Sequence, residues 1–335
     1  MIKADKRRLL ILKPSALGDI VHTFPLLTSL RKSFPAFSIF WGVKDKFSEL
    51  LEGHPYIDQI ILWRDGKLWQ FVKEIRRRRF DIVIELQGLF RTGLIAYLSG
   101  APQRWGFSQE ESKEWQFMFL NRRVKTKSSH VVEKNLEFAE KLGAKREVEF
   151  LIPEREDAKK YIEENLKKAL VLPEDKLIAL SPGGGWANKI WSDEKFANLG
   201  KRLTLKKNWR VLILWGPGEF KKAISINEIA EGKLVVAPPT GIPQLVSLLK
   251  KCSMVIGGDT GPLHLAAALN VPVVGLYGPT PPERNGPYTQ KKEVIYHNLD
   301  CSPCWRKPCK TRDCMDSIEV EEVMEKVEHL ASRFF

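Results

Sequence analysis

Residues 254–277 read MVIGGDTGPLHLAAALNVPVVGLY, and the chain changes its structural period twice within them. Met254–Gly257 is a short apolar run with the length of a strand, and Val271–Tyr277 is another. Between them, Gly257-Gly258-Asp259-Thr260-Gly261 forms a turn. A helix of small residues then runs from Pro262 to Leu269, with proline in its first turn, where the missing N–H costs nothing. Strand, glycine turn, helix and strand make a βαβ unit with parallel strands.

The same rhythm extends upstream. Lys176–Ser181, Arg210–Trp215 and Leu234–Ala237 read as strands; Asp193–Leu205, Ala223–Glu231 and Ile242–Lys250 read as helices. It also occupies the first half of the chain. Strands are expected at Leu9–Leu12, Phe37–Val43, Ile57–Leu62 and Asp81–Glu85. Helices are expected over Ile20–Ser33, from Phe47–Leu51 onward, and over Leu68–Arg78. The fold class is therefore α/β, with two doubly wound domains, a number that suits 335 residues. The joint lies near residues 150–175, where the charged helix Glu154–Lys168 is flanked by Pro153 and Pro173. In such folds ligands sit beyond the carboxyl ends of the strands, where loops hand over to helices.

Hydrophobic content of 43% and charged content of 28% exclude general disorder. The net charge is +13, and residues 1–150 carry 27 Lys and Arg against 18 Asp and Glu. An anionic partner should meet the first half first, although a Lys/Glu-rich surface also fits a heat-adapted protein. Apolar runs such as Leu9–Leu12, Ile82–Ile84 and Val271–Tyr277 fall far short of the roughly 20 residues that cross a bilayer. Lys3–Arg8 followed by Leu9–Leu12 is too short for a signal peptide. A cytoplasmic protein is expected.

Four segments carry chemistry, and each follows a strand. In Lys13–Thr23, Gly18 permits close backbone approach, and Asp19 stands at the start of a helix. Asp19 either caps that helix or accepts a proton from a sugar hydroxyl. In Gly257–Ala268, the helix N-terminus offers free N–H groups and a positive dipole end, a pyrophosphate site needing no metal; the simpler reading is a glycine turn capped by Asp259. His264 lines that site or is a buried, hydrogen-bonded histidine. Neither Gly-x-Gly-x-x-Gly nor Gly-x-x-x-x-Gly-Lys-Ser/Thr is present. In Ser181–Trp191, three glycines followed by Lys189 suit phosphate oxygens. A flexible surface loop competes, and Trp191 opposes it as an aromatic anchor. In Trp215–Glu219, Glu219 is placed to receive ribose hydroxyls.

Together these segments resemble the lipopolysaccharide heptosyltransferase family, the ADP-heptose-dependent glycosyltransferases of family 9. The likeness runs from Leu10 to about Tyr288. It is sharpest at Lys13–Pro25, Phe80–Gly88, Lys189–Trp191 and Asp259–Pro279. It implies the GT-B architecture: two Rossmann-like domains facing across a cleft, an acceptor domain over residues 1–165 and a donor domain over 166–318. The terminal helix, Val320–Ser332 within 319–335, is expected to pack back on the first domain. The implied enzyme is an inverting glycosyltransferase that moves heptose from ADP-heptose to the inner core of lipopolysaccharide. Asp19 is then the general base. Gly184, Gly185, Lys189, Glu219, Asp259, Thr260, Gly261 and His264 bind the donor. The family's first branch often has hydroxyl residues where this chain has Gly184 and Gly185, which leaves the subfamily open. Acceptor candidates are Ser15, Gly18, Gln87, Arg64, Arg91, Arg104 and His130. No cofactor is required for catalysis, and a monomer working at the cytoplasmic face of the inner membrane is expected.

Cys301, Cys304, Cys309 and Cys314 form C-x₂-C-x₄-C-x₄-C. In a cytosolic protein such clustering suggests a structural zinc, with reduced thiols, disulfides or an iron–sulfur cluster as alternatives. Two other functions compete with transfer. A nucleotide-sugar epimerase of similar architecture would need no acceptor. A nucleic-acid-binding protein would fit the basic composition and Arg76–Arg79, but no recognition motif supports it.

Overall fold

The computed structural model describes residues 6–112, 114–305 and 309–335, and it divides into two units at Pro153/Glu154. The first unit holds β1 (Arg8–Leu12), α1 (Leu17–Val21), α2 (Phe24–Ser33), β2 (Ser38–Lys44), β3 (Gln59–Trp63), α3 (Leu68–Arg77), β4 (Ile82–Glu85), α4 (Phe90–Leu98), β5 (Gln103–Phe107), β6 (Arg122–Val124) and α5 (Val131–Lys141). Its sheet is entirely parallel, in the order β3-β2-β1-β4-β5-β6. Buried strands such as β4 have no polar side to offer solvent, because helices cover both faces.

The second unit repeats that plan. It holds α6 (Glu156–Lys168), β7 (Lys176–Ser181), α7 (Asp193–Leu203), β8 (Trp209–Ile213), α8 (Phe220–Ile229), β9 (Val235–Val236), α9 (Ile242–Lys251), β10 (Met254–Gly258), α10 (Gly261–Ala268), β11 (Val273–Tyr277), α11 (Pro282–Asn285), β12 (Lys292–Tyr296), α12 (Asp313–Asp316) and α13 (Val320–Phe334). The order is β12-β11-β10-β7-β8-β9, again all parallel, which is the first sheet's order with its members renumbered. The strand order reverses between β1 and β4 in one sheet and between β7 and β10 in the other. At such switch points the loops part and leave room for a ligand.

Three boundaries differ from the sequence reading. The expected helix over Ile20–Ser33 is two helices, α1 and α2, broken at His22-Thr23. Pro25 has no N–H for an i−4 bond, and its ring would strike the carbonyl of Val21. The unit boundary lies before α6 rather than at residue 165, because α6 packs on α9. The third difference concerns the terminal helix. Val320, Val323, Met324, Val327 and Leu330 of α13 are buried with Phe196, Leu199 and Leu203 of α7 in the second unit's own core. Burying each of these side chains contributes roughly 1.5–3 kcal/mol, so α13 is an integral layer of the second unit.

Candidate functional site

At the first switch point, β1 delivers Lys13 and α1 delivers Asp19. Asp19 Oδ2 accepts from the Ala16 N–H at 3.2 Å, and Oδ1 lies 3.6 Å from Lys13 Nζ. Asp19 thus holds the start of α1 from its third position, behind the cap residue Ala16, and 35% of its side chain faces solvent. Lys13 is 3% exposed and donates to the Leu86 carbonyl at 2.8 Å, tying β1 to the loop after β4. Glu85, fully buried, shapes that loop by accepting from the N–H groups of Gln87 and Gly88 and from Thr92 Oγ1. Burial pushes its carboxyl above the ordinary range, against the pull of those donors and of Lys13. Gln87 Oε1 in turn accepts from the Ser15 N–H at 3.4 Å.

A cavity of about 430 Å³ opens here, lined among others by Ser15, Lys44, Trp63, Gln87, Phe90 and Arg91. Lys44 and Trp63 had no role in the sequence reading; their signal is position, at the carboxyl ends of β2 and β3. Gly18 is buried inside α1. Three other acceptor candidates lie elsewhere. Arg64 is exposed and faces Asp45 at 3.8 Å. Arg104 pairs with Val83 near the amino end of β4, the opposite edge from Gln87, and its guanidinium is spent on the Ala101 and Phe119 carbonyls. His130 caps α5 by accepting from the Val132 N–H at 3.2 Å.

The second switch point is built more tightly. Asp259 Oδ2 receives Lys189 Nζ at 2.5 Å and Thr280 Oγ1 at 2.8 Å, while Oδ1 lies 2.8 Å from His264 Nε2. Asp259 is 6% exposed, His264 5% and Lys189 13%. Burial alone would raise the Asp259 carboxyl, but His264 and Lys189 hold it well below the usual carboxylate range. Asp259 is thus a cluster centre and not the helix cap. Thr260 occupies the cap position of α10, its buried hydroxyl without a partner. Lys189 also stands 4.3 Å from the Trp186 ring centroid, a cation–π contact. Two glycines make this assembly possible: a Cβ on Gly257 would meet Ser181, and one on Gly258 would stand 2.8 Å from the Lys189 carbonyl.

Trp191, 1% exposed, donates its indole N–H to the Ile318 carbonyl and packs edge-on against Phe196, so the glycine loop before it is anchored. Glu219 has backbone partners of its own. Its carboxylate accepts from the N–H groups of Gly184 and Gly216, clamping two loops together, and a Cβ on Gly183 would collide with it. Gly185 faces open space and Gly261 begins α10. Thr280 had no role in the sequence reading, although it directly follows the segment Asp259–Pro279.

The zinc expectation is not met by an assembled site among the described residues. Among the described residues no group of three or more His, Cys, Asp or Glu side chains is arranged to hold a metal ion, and all five cysteines are free. Tetrahedral zinc needs four thiolates at about 2.3 Å from one point. Cys314 lies in the core beside Gly278 and Met315, and Cys301 and Cys309 are exposed. Burial and the neighbouring thiols push Cys314 up to about 11, the un-ionised form.

Two doubly wound parallel sheets with polar clusters at their switch points match the GT-B architecture. Solved structures share this architecture. The structure of the glycosyl transferase family 9 protein from Veillonella parvula superposes with TM-score 0.85 at 24% identity, covering 99% of each chain. Escherichia coli heptosyltransferase WaaC with ADP superposes with TM-score 0.76 at 24% identity, covering 96% of this chain and 99% of that one. In sequence, lipopolysaccharide heptosyltransferase 1 of Pseudomonas aeruginosa is 26% identical over 318 residues, 90% of this chain and 87% of the relative. The pattern of glycosyltransferase family 9 (heptosyltransferase) matches residues 68–315, and the chain belongs to that family.

Proposed function

We propose that this glycosyltransferase moves a heptose from an ADP-linked donor to an anionic acceptor in the inner core of lipopolysaccharide, inverting the anomeric centre. The observation that carries the donor half is the nearly buried Lys189 ammonium, pinned by Asp259 beside the N-terminus of α10. Asp259 takes one of the three ammonium donors and leaves two for phosphate oxygens. The amide N–H groups at the start of α10 add a second electropositive element. A donor bound there would leave as ADP with its charge already met, an electrostatic role that a divalent ion fills in other enzymes.

The acceptor half rests on the first switch point. Asp19 takes the proton from the acceptor hydroxyl while that oxygen bonds to the anomeric carbon and the bond from that carbon to the diphosphate breaks. Attack from the face opposite the leaving group inverts the configuration. Lys44 and Arg91 give the neighbouring cavity the charge an acidic, phosphorylated core requires. The names of relatives such as the Pseudomonas enzyme support the core as acceptor, and that acceptor would hold the protein at a membrane surface.

A thermal-shift panel of sugar nucleotides tests the donor class. At a hundredfold excess over Kd, a ligand stabilises the folded state by about 2.7 kcal/mol. ADP-linked sugars should raise the melting temperature well above UDP- or GDP-linked ones, and equal shifts would overturn the assignment.

A further inference from the structure

The outward face of α4 carries Phe90, Leu94 and Tyr97 at i, i+4 and i+7, and Phe90 and Tyr97 are 44% and 54% exposed. The 3₁₀ turn Trp115–Phe119 packs on the same helix and adds Trp115 and Met118, 72% and 63% exposed. Phe119 joins the two, with its ring 5.0 Å from Phe90 and 6.1 Å from Tyr97. The outer face of a helix in a globular unit is ordinarily polar. A continuous exposed apolar patch marks a surface that meets something else.

The charges around it indicate what that is. Arg91 follows Phe90 and is exposed; the Arg104 guanidinium lies 5.5 Å from Tyr97 and that of Arg123 lies 5.5 Å from Phe117. Arg122 and Lys125 are exposed on the adjoining edge strand and its exit. The acids nearby are engaged. Glu111 pairs with Lys134 at 2.6 Å, Glu114 accepts from the Phe90 N–H at 2.7 Å, and Glu110 holds Ser108 and faces Lys125. The face is thus aromatic at its centre and cationic at its rim.

We propose that this face seats on an anionic lipid bilayer, with Trp115, Met118, Phe90 and Tyr97 at headgroup depth and Arg91, Arg122 and Arg123 on lipid phosphates. Amphipathic rings favour that depth, and arginine stems reach from it to phosphate. Phe90 and Arg91 also line the cavity that holds Ser15 and Gln87. Seated this way, the membrane brings a lipid-anchored acceptor to the cavity's mouth. This last consequence rests on the acceptor reading above, whereas the docking itself does not.

Sedimentation of the full chain with vesicles tests it, using phosphatidylethanolamine mixed with phosphatidylglycerol against phosphatidylcholine alone. The wild-type chain should bind the anionic vesicles and release them as salt rises. The pairs Trp115→Ser with Met118→Ser, and Arg122→Glu with Arg123→Glu, should each weaken binding roughly tenfold or more, while melting temperature and the ADP-induced thermal shift stay unchanged. Absence of wild-type binding, or variants that bind as tightly, would overturn the proposal. So would a wild-type dimer in gel filtration that the Trp115→Ser, Met118→Ser pair converts to monomer, because a second copy would then cover the patch. Vesicle binding without turnover of a delipidated acceptor would count against the acceptor reading alone.

Discussion

Asp19 keeps about a third of its side chain in solvent at the first switch point, whereas Asp259 keeps 6% at the second. Both carboxylates follow the first or fourth strand of the same sheet order, and both have a lysine beside them. At 2.5 Å Lys189 makes a charge-assisted hydrogen bond to Asp259, which His264 and Thr280 complete. At 3.6 Å Lys13 gives Asp19 only its field, because its bond goes to the Leu86 carbonyl. One carboxylate is nearly buried among three side-chain partners and serves as a fixed support; the other stays open to water. A proton acceptor needs the second arrangement, and a diphosphate cradle needs the first. On the function proposed above, identical topology serves two chemistries through the burial of one side chain.

Replacing Asp19 with alanine should produce the largest effect. Losing a positioned base costs on the order of 10²–10⁴ in kcat, and the donor-induced thermal shift should survive; turnover near the wild-type rate would end the contrast. Asp259→Ala should act oppositely. It strands a nearly buried ammonium, a loss of about 3 kcal/mol or more, so both melting temperature and donor binding should fall. Calorimetry that finds the variant as stable as the wild type would show that the cluster is not a support.

Gly258→Ala probes the same support more gently. The new Cβ, 2.8 Å from the Lys189 carbonyl, should push the lysine loop outward. The expected loss is about 1–3 kcal/mol, with donor affinity falling and kcat at saturating donor changing little.

The smallest effect concerns acid. His54, in the first unit, is held down to about 4, chiefly by burial. Its folded pKa lies below the unfolded value near 6.5, so its contribution to stability is complete above 6.5 and fades as pH falls toward 4. His54→Gln should flatten the decline in melting temperature across that window, while Asp259, held far lower, leaves the second unit unaffected there. A decline of unchanged slope in the variant would assign the acid sensitivity to other groups.

Much of the second switch point was legible because its parts are local in sequence. Gly257-Gly258-Asp259 and Lys189-x-Trp191 each sit within a few residues of a strand end, and strand-to-helix periodicity located both. Gln103–Phe107 and Arg122–Val124 escaped notice because Gln-Arg-Trp-Gly-Phe and Arg-Arg-Val lack the β-branched run that marks a strand. Their pairing comes from neighbouring strands, β5 on β4 and β6 on β5, a non-local fact. The stripe Val320, Val323, Met324, Val327 and Leu330 showed that a terminal helix buries one face, but a stripe does not name what it is buried against. Glu219 and the four cysteines taught the same lesson. Residue type and spacing supply a chemical vocabulary, but only geometry shows that two backbone N–H groups occupy the carboxylate, or that one thiol has turned into the core.

The diphosphate assignment at Lys189 can be measured most directly by comparing the stabilisation given by ADP, AMP and adenosine in the wild-type chain and in Lys189→Met. ADP should stabilise the wild type more than AMP or adenosine does, and Lys189→Met should erase most of that difference while still melting cooperatively. If adenosine alone matches ADP, or the variant keeps the full preference for ADP, the electropositive support at the second switch point is not where the phosphates bind.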